Sequence, residues 1–138
     1  MGQKEDIVKT ENKIIVIRDK QVILDRDVAE MYGEETKRIK EGLKNNTDKF
    51  SDGYVITLNI KEKDELVENF DRFKTLKHST VEPHAFTEKG LYMLATILKS
   101  PLATEVTIAI IETFSKVREV SRAIAKVNDD AEKGIKIG

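Results

Sequence analysis

Residues 22–46, VILDRDVAEMYGEETKRIKEGLKNN, pass from a β-rich tripeptide into two short helical patterns joined at a glycine. Asp25 reads as an N-cap, Arg26 to Tyr32 as a helix of about two turns, and Gly33 as the left-handed residue that stops it. A second helix is expected from Thr36, whose hydroxyl can cap it, through Lys37 to Asn46. Ile39 and Leu43, four apart, form its buried side. Ala29 and Gly33 have the spacing of a helix-turn-helix: a small residue lets the second helix approach, and a glycine four positions on makes the turn.

With Ile39 and Leu43 inward, Lys37, Arg38, Lys40, Glu41, Lys44 and Asn45 remain outward, and most are residue types that contact phosphates and base edges. From Lys37 to Lys49 five cations stand against Glu41 and Asp48, so the stretch is locally basic. Spacing alone leaves two readings open, a DNA-reading helix and a helical hairpin with a solvated lysine face. Glu34, Glu35 and Glu41 weigh against DNA, because acids beside phosphates repel them.

Working outward, Ile14 to Ile17 and Gln21 to Leu24 are β-rich runs separated by Arg18-Asp19-Lys20, which predicts a hairpin. Tyr54 to Leu58 reads as a strand pairing with that hairpin, and His84 to Phe86 as another strand. Asp64 to Phe70 is expected to be a short helix, and Asp71 to Pro83 a basic loop carrying Arg72, Lys74, Lys77 and His78. Thr87 caps a helix through Leu98, and Ser100-Pro101 opens a last, long one.

In that last helix Ala103, Val106, Ile110, Thr113, Val117, Val120, Ile124 and Val127 recur at alternating gaps of three and four, a coiled-coil seam. Ile108, Ile111 and Phe114 widen the apolar stripe only in the first half. The expectation is a first half docked on the domain and a second half projecting, with Val117, Val120, Ile124 and Val127 joining two chains into a homodimer. The last residues, from Asn128, lose periodicity and are expected to fray.

The stretch Val22 to Asn46 also resembles the core signature of the ORF-six-N domain family, which sits with the KilA-N-type DNA-binding domains of phages and other large DNA viruses. The likeness continues through KFSDGYVITL (49–58), AFTEKGLYML (85–94) and ATEVTIAIIETFSKVRE (103–119), in the family's order. Leu24, Asp25, Val28, Ala29 and Tyr32 match the family's first helix, and Thr36, Lys37, Leu43, Lys44 and Asn46 its second. Lys40 stands where relatives commonly have asparagine, Asn45 where they often have arginine, and Ser51 where a proline is usual. The loop from Arg72 to Thr80 carries lysines and His78 where many relatives are rich in arginine and glycine.

The resemblance implies an α+β DNA-binding domain, often the amino-terminal module of an antirepressor-like or other regulatory phage protein. The expected fold is a small antiparallel sheet with a helix-turn-helix and a long C-terminal helix. Residues 1–12 are expected to be flexible, 13–120 to form the domain, and 121–138 to extend the last helix into a tail. The expected partner is double-stranded DNA, contacted by Thr36, Lys37, Arg38, Lys40, Lys44 and Asn45, with Arg72, Lys74 and Lys77 adding backbone contacts. The alternative is an adaptor that captures a repressor or another protein through its last helix.

Composition bounds these expectations. A chain of 138 residues, 39% hydrophobic with balanced charge, suits one folded domain and a tail. It has no cysteine, so disulfides, thiolate metal sites and cysteine nucleophiles are excluded, and a reducing, cytoplasmic setting is expected. No run has the length and apolarity to span a bilayer. A net charge of −1 is unusual for a nucleic-acid binder, and places the weight on local charge. His78 and His84 lack metal-ligand spacing, and neither a phosphate-binding glycine loop nor a nucleophile elbow is present. No catalysis, metal, cofactor or small-molecule substrate is expected, and Asp25 and Asp27 read as a cap and a first-turn carboxylate.

Overall fold

The computed structural model describes the backbone of residues 13–137 and the side chains of 13–127. Ile15 and Ile17 alternate with exposed Val16 in β1 (Ile15–Ile17), which pairs antiparallel with β2 (Lys20–Leu24), Ile15 opposite Val22. The turn is two residues long, not three. Arg18 and Asp19 both take positive φ, 54° and 63°, the left-handed pair that a two-residue hairpin turn needs to follow strand twist. Lys20, expected in the loop, therefore opens β2.

Two helices joined at a tight turn follow, α1 (Asp25–Tyr32) and α2 (Thr36–Asn45). Gly33 is left-handed at φ 67°, its N–H donates to the Glu30 carbonyl at 3.3 Å, and the Glu34 N–H donates to Ala29 at 2.9 Å. This closes α1 and turns the chain within a few residues. Both expected caps are corrected. Leu24 and Glu35 hold the N-cap positions and neither makes a side-chain cap; Asp25 and Thr36 are already helical. The Asp25 carboxylate is drawn instead toward His84 and Lys40.

The remaining strands are β3 (Val55–Thr57) and β4 (His84–Phe86), and the antiparallel sheet runs β1-β2-β4-β3. β3 does not join the hairpin: β4 lies between, with Ile23 opposite Phe86 on one side and Val55 opposite Phe86 on the other. Ala85 and Phe86 point to opposite faces and both are fully buried, so this short strand belongs inside the sheet. Helix α3 (Ile60–Asn69) starts four residues before the expected Asp64, because Asn59 and Glu62 form a reciprocal capping box. The expected basic loop is a 3₁₀ segment, Asp71–His78, ordered by the fully buried Phe73.

Helix α4 (Glu88–Leu98) is capped by Thr87, which accepts from the Gly90 N–H. Ser100 accepts from the Ala103 N–H and Pro101 opens α5 (Pro101–Ile137), as their side chains predict. Residues 1–12 and the side chains beyond Val127, where flexible ends are expected, lie outside the described residues.

The sheet separates two cores. On one face Ile23 and Phe86 pack with Val28 and Tyr32 of α1, Ile39 of α2, Leu91 and Leu94 of α4, and Ile110 and Phe114 of α5. On the other, Ile15, Val22, Leu24, Ile56 and Ala85 meet Leu66 of α3 and Phe73. The fold is thus α+β with a small antiparallel sheet and a long C-terminal helix. Among the described residues no helix is long and apolar enough to cross a membrane.

Candidate nucleic-acid interface

Helix α2 is held from below by apolar packing. Ile39 is fully buried, Leu43 packs beside it against the same core, and the Asn46 side-chain amide donates to the Gly42 carbonyl where the helix ends. The amphipathic spacing therefore places Lys37, Glu41, Lys44 and Asn45 on the exposed side. Lys37 reaches Glu41 only at 4.0 Å, with side chains 81% and 58% exposed. Arg38 pairs with Glu34 at 3.2 Å on the flank. Exposed pairs of this kind hold their partners weakly, and both cations can be drawn to a stronger anion.

Lys40 lies differently. Its ammonium is 2.6 Å from the buried Asp25 carboxylate, donates to the Glu82 carbonyl at 2.7 Å, and stands 3.2 Å from His84 Nδ1. The same carboxylate accepts from the backbone N–H of His84 at 3.1 Å and of Arg26 at 2.8 Å. Burial alone would raise the Asp25 pKa, but the hydrogen bonds from His84 and Lys40 outweigh it, and the carboxyl is held below its ordinary value. One aspartate thus joins α1, α2 and β4. Lys40, expected on the DNA-facing side, is spent on this internal lock.

Asp27 likewise ties α1 to a distant segment of the chain. Arg72 donates to it at 2.6 Å and stacks over the Phe73 ring at 4.0 Å, and Lys13 lies 3.6 Å away. Arg72, expected in a backbone-contacting loop, is turned onto the protein because a buried carboxylate and an aromatic face both attract a guanidinium. Lys74 and Lys77 remain exposed on the 3₁₀ segment, Lys74 beside Asp71 at 3.0 Å. Thr36 is half-buried at the amino end of α2 and lines a cleft of about 470 Å³ with Lys37, Leu76 and Val81.

The structure therefore brings Lys37, Arg38, Lys44 and Asn45 together on one accessible helix and turns Lys40 and Arg72 onto internal carboxylates. The anchoring role of Asp25 and Asp27 goes beyond the cap and first-turn carboxylate that their positions in the sequence suggest. A signal for Asp25 exists there: it shares the i, i+3, i+4, i+7 face of Val28, Ala29 and Tyr32, all buried. No such signal marks the partner, 15 residues on for Lys40 and 45 on for Arg72 by their numbers.

A second surface lies on α5. Ala103, Ile110 and Thr113 of the seam are buried and Val117 is half-buried, whereas Val120, Ile124 and Val127 are 59%, 56% and 66% exposed. The docked half is fixed to α1 by the Tyr32 hydroxyl, 2.6 Å from Thr107 Oγ1, and burial pushes that phenol up to about 12. It is tied to α4 by Arg118 donating to Glu88 at 2.8 Å. Among the described residues no group of three or more histidine, aspartate or glutamate side chains stands together to hold a metal.

Among known protein families, a model described as the ORF6N domain matches residues 12–97, from the segment before the hairpin to the last turn of α4. The long helix α5 lies beyond the matched segment. No curated protein matches, and no solved structure matches.

Proposed function

The chain belongs to the ORF6N domain family, matched from Asn12 to Ile97, and on that premise we propose that it is a duplex-DNA-binding domain of a phage or prophage regulatory, antirepressor-like protein, acting in the cytoplasm. Helix α2 enters the major groove, where an α-helix fits. The observation that carries this is the exposed face of α2, on which Lys37, Arg38, Lys44 and Asn45 surround a helix anchored by Ile39 and by the Lys40 to Asp25 lock. Phosphate contacts come from the three cations, with Lys74 and Lys77 adding charge from the 3₁₀ segment.

A rigid anchor matters because a reading helix must present its side chains at one angle for base contacts to discriminate. Lys40 and Arg72 serve that anchoring in our reading and do not touch the duplex. Salt tests the whole: if α2 neutralises phosphates, duplex affinity falls steeply as salt rises, and an affinity indifferent to salt removes the reading.

The exposed Val120, Ile124 and Val127 support a homodimer joined by the projecting half of α5. A dimer would suit half-sites separated by about one helical turn, roughly 34 Å. Sedimentation at high concentration checks it, and a monomer there rejects it. The same exposed stripe favours a second reading, an adaptor that holds a repressor or other protein on α5. Absence of duplex binding at low salt, together with a stable complex formed with a purified repressor, selects that alternative.

A further inference from the structure

We infer that Glu41 is the base-reading residue of α2 and that it selects cytosine near the centre of each half-site; this rests on the DNA-binding reading above. Glu41 occupies the middle of the exposed face. Lys37 lies one turn before it, Asn45 one turn after, and Arg38 and Lys44 lie three residues to either side, so the acid sits where the two side-chain ridges cross. Its side chain is 58% exposed and its nearest cation, Lys37, stands at 4.0 Å. The acids of α1 are spent on partners: Asp25 on Lys40 and Asp27 on Arg72 at 2.6 Å each, and Glu30 on Lys13 at 3.0 Å. Glu34 and Glu35 precede α2 and lie off this face, Glu34 beside Arg38 at 3.2 Å and Glu35 at the N-cap position. Glu41 keeps a free acceptor.

A helix lying in the major groove aims the middle of its outward face at base edges and its flanks at the phosphates. The ring of cations around Glu41 fits the flanks. A carboxylate at the centre is repelled by phosphate and by the guanine N7 and O6 acceptors. Its favourable partners are amino groups, on cytosine N4 or adenine N6. Adenine carries the N7 acceptor next to its amino group, which opposes a carboxylate, whereas cytosine offers N4–H₂ and no acceptor of its own on that edge. Cytosine is therefore the base that a lone carboxylate accepts.

Selection from a random duplex pool tests this with the whole chain and with Glu41→Ala and Glu41→Gln. Both variants change an exposed side chain, and thermal melts check that each folds as the parent does. The parent is expected to recover sites with cytosine at a fixed position, favoured by about tenfold over other bases. Glu41→Ala loses that preference and no other, and Glu41→Gln moves it toward adenine, whose N6 and N7 suit an amide. Recovery of unchanged sequences by Glu41→Ala, with uniformly tighter binding, would show a merely repulsive charge and overturn the inference. Parent binding without any base preference overturns it too, while leaving duplex binding intact. No parent binding at low salt removes the underlying reading and this one with it.

Discussion

The Lys40 ammonium and the Asp25 carboxylate stand 2.6 Å apart, one on α2 and one on α1, with Asp25 buried and Lys40 largely shielded. Their contact fixes the second helix against the first and against β4 through His84. Lys40→Met leaves a carboxylate buried without its counter-charge and is expected to lower stability by about 3 kcal/mol. Adding Asp25→Asn to that variant recovers part of the loss, because no buried charge remains unpaired. Denaturant unfolding of the single and double variants measures the coupling. Strictly additive losses would count against the lock.

Acid should weaken the fold through the same carboxylate. The folded pKa of Asp25 lies below its ordinary 3.8, so its contribution is complete above that value and is lost as pH falls through the folded one. Glu62, lowered chiefly by its hydrogen bonds from Arg18, adds a loss of the same sign below its ordinary 4.5. Thermal melts from neutral pH downward are expected to stay level and then drop below about these values. Asp25→Asn is expected to flatten part of the drop, and an unchanged acid limb in that variant contradicts the assignment.

Gly90 meets the backbone where α4 begins. A Cβ there would overlap the Tyr54 carbonyl, which also accepts from the Thr87 N–H at 3.0 Å and from the Thr87 hydroxyl at 2.8 Å. Backbone cannot swing aside as a flexible side chain can. Gly90→Ala is expected to cost about 2 kcal/mol despite alanine's better helix propensity. A chemical denaturation midpoint equal to the parent's would mean that this junction is loose.

Reversal of Lys37, Arg38 and Lys44 to glutamate together should abolish duplex binding while the melting temperature stays close to the parent's. All three are exposed, and the pairs made by Lys37 and Arg38 are long or solvent-screened. Reversal of Lys74 and Lys77 should reduce affinity less and lower the salt slope by about one for each phosphate left without its cation. Electrophoretic shift at several salt concentrations reads both, and undiminished binding by the triple variant moves the interface away from α2.

Local patterns in the chain were sufficient for the hairpin, for the two helices on either side of Gly33, for Thr87 and Ser100 as caps, and for the partition of α5 into a docked and a projecting half. Each depends on neighbours within about a turn, or on hydrophobic period, and those are written consecutively along the chain. The family signature in residues 22–46 is local in the same sense. What the fold alone decided is the strand order, with β4 inserted between β2 and β3, and which cations stay free. Lys40 and Arg72 look no different in sequence from Lys44 and Lys77. Only when β4 brings His84 beside Asp25, and the 3₁₀ segment brings Arg72 beside Asp27, do two buried carboxylates become the nearest anions and claim them. Electrostatic partners are set by distance in space, and the residues that set it here lie as many as 59 positions apart.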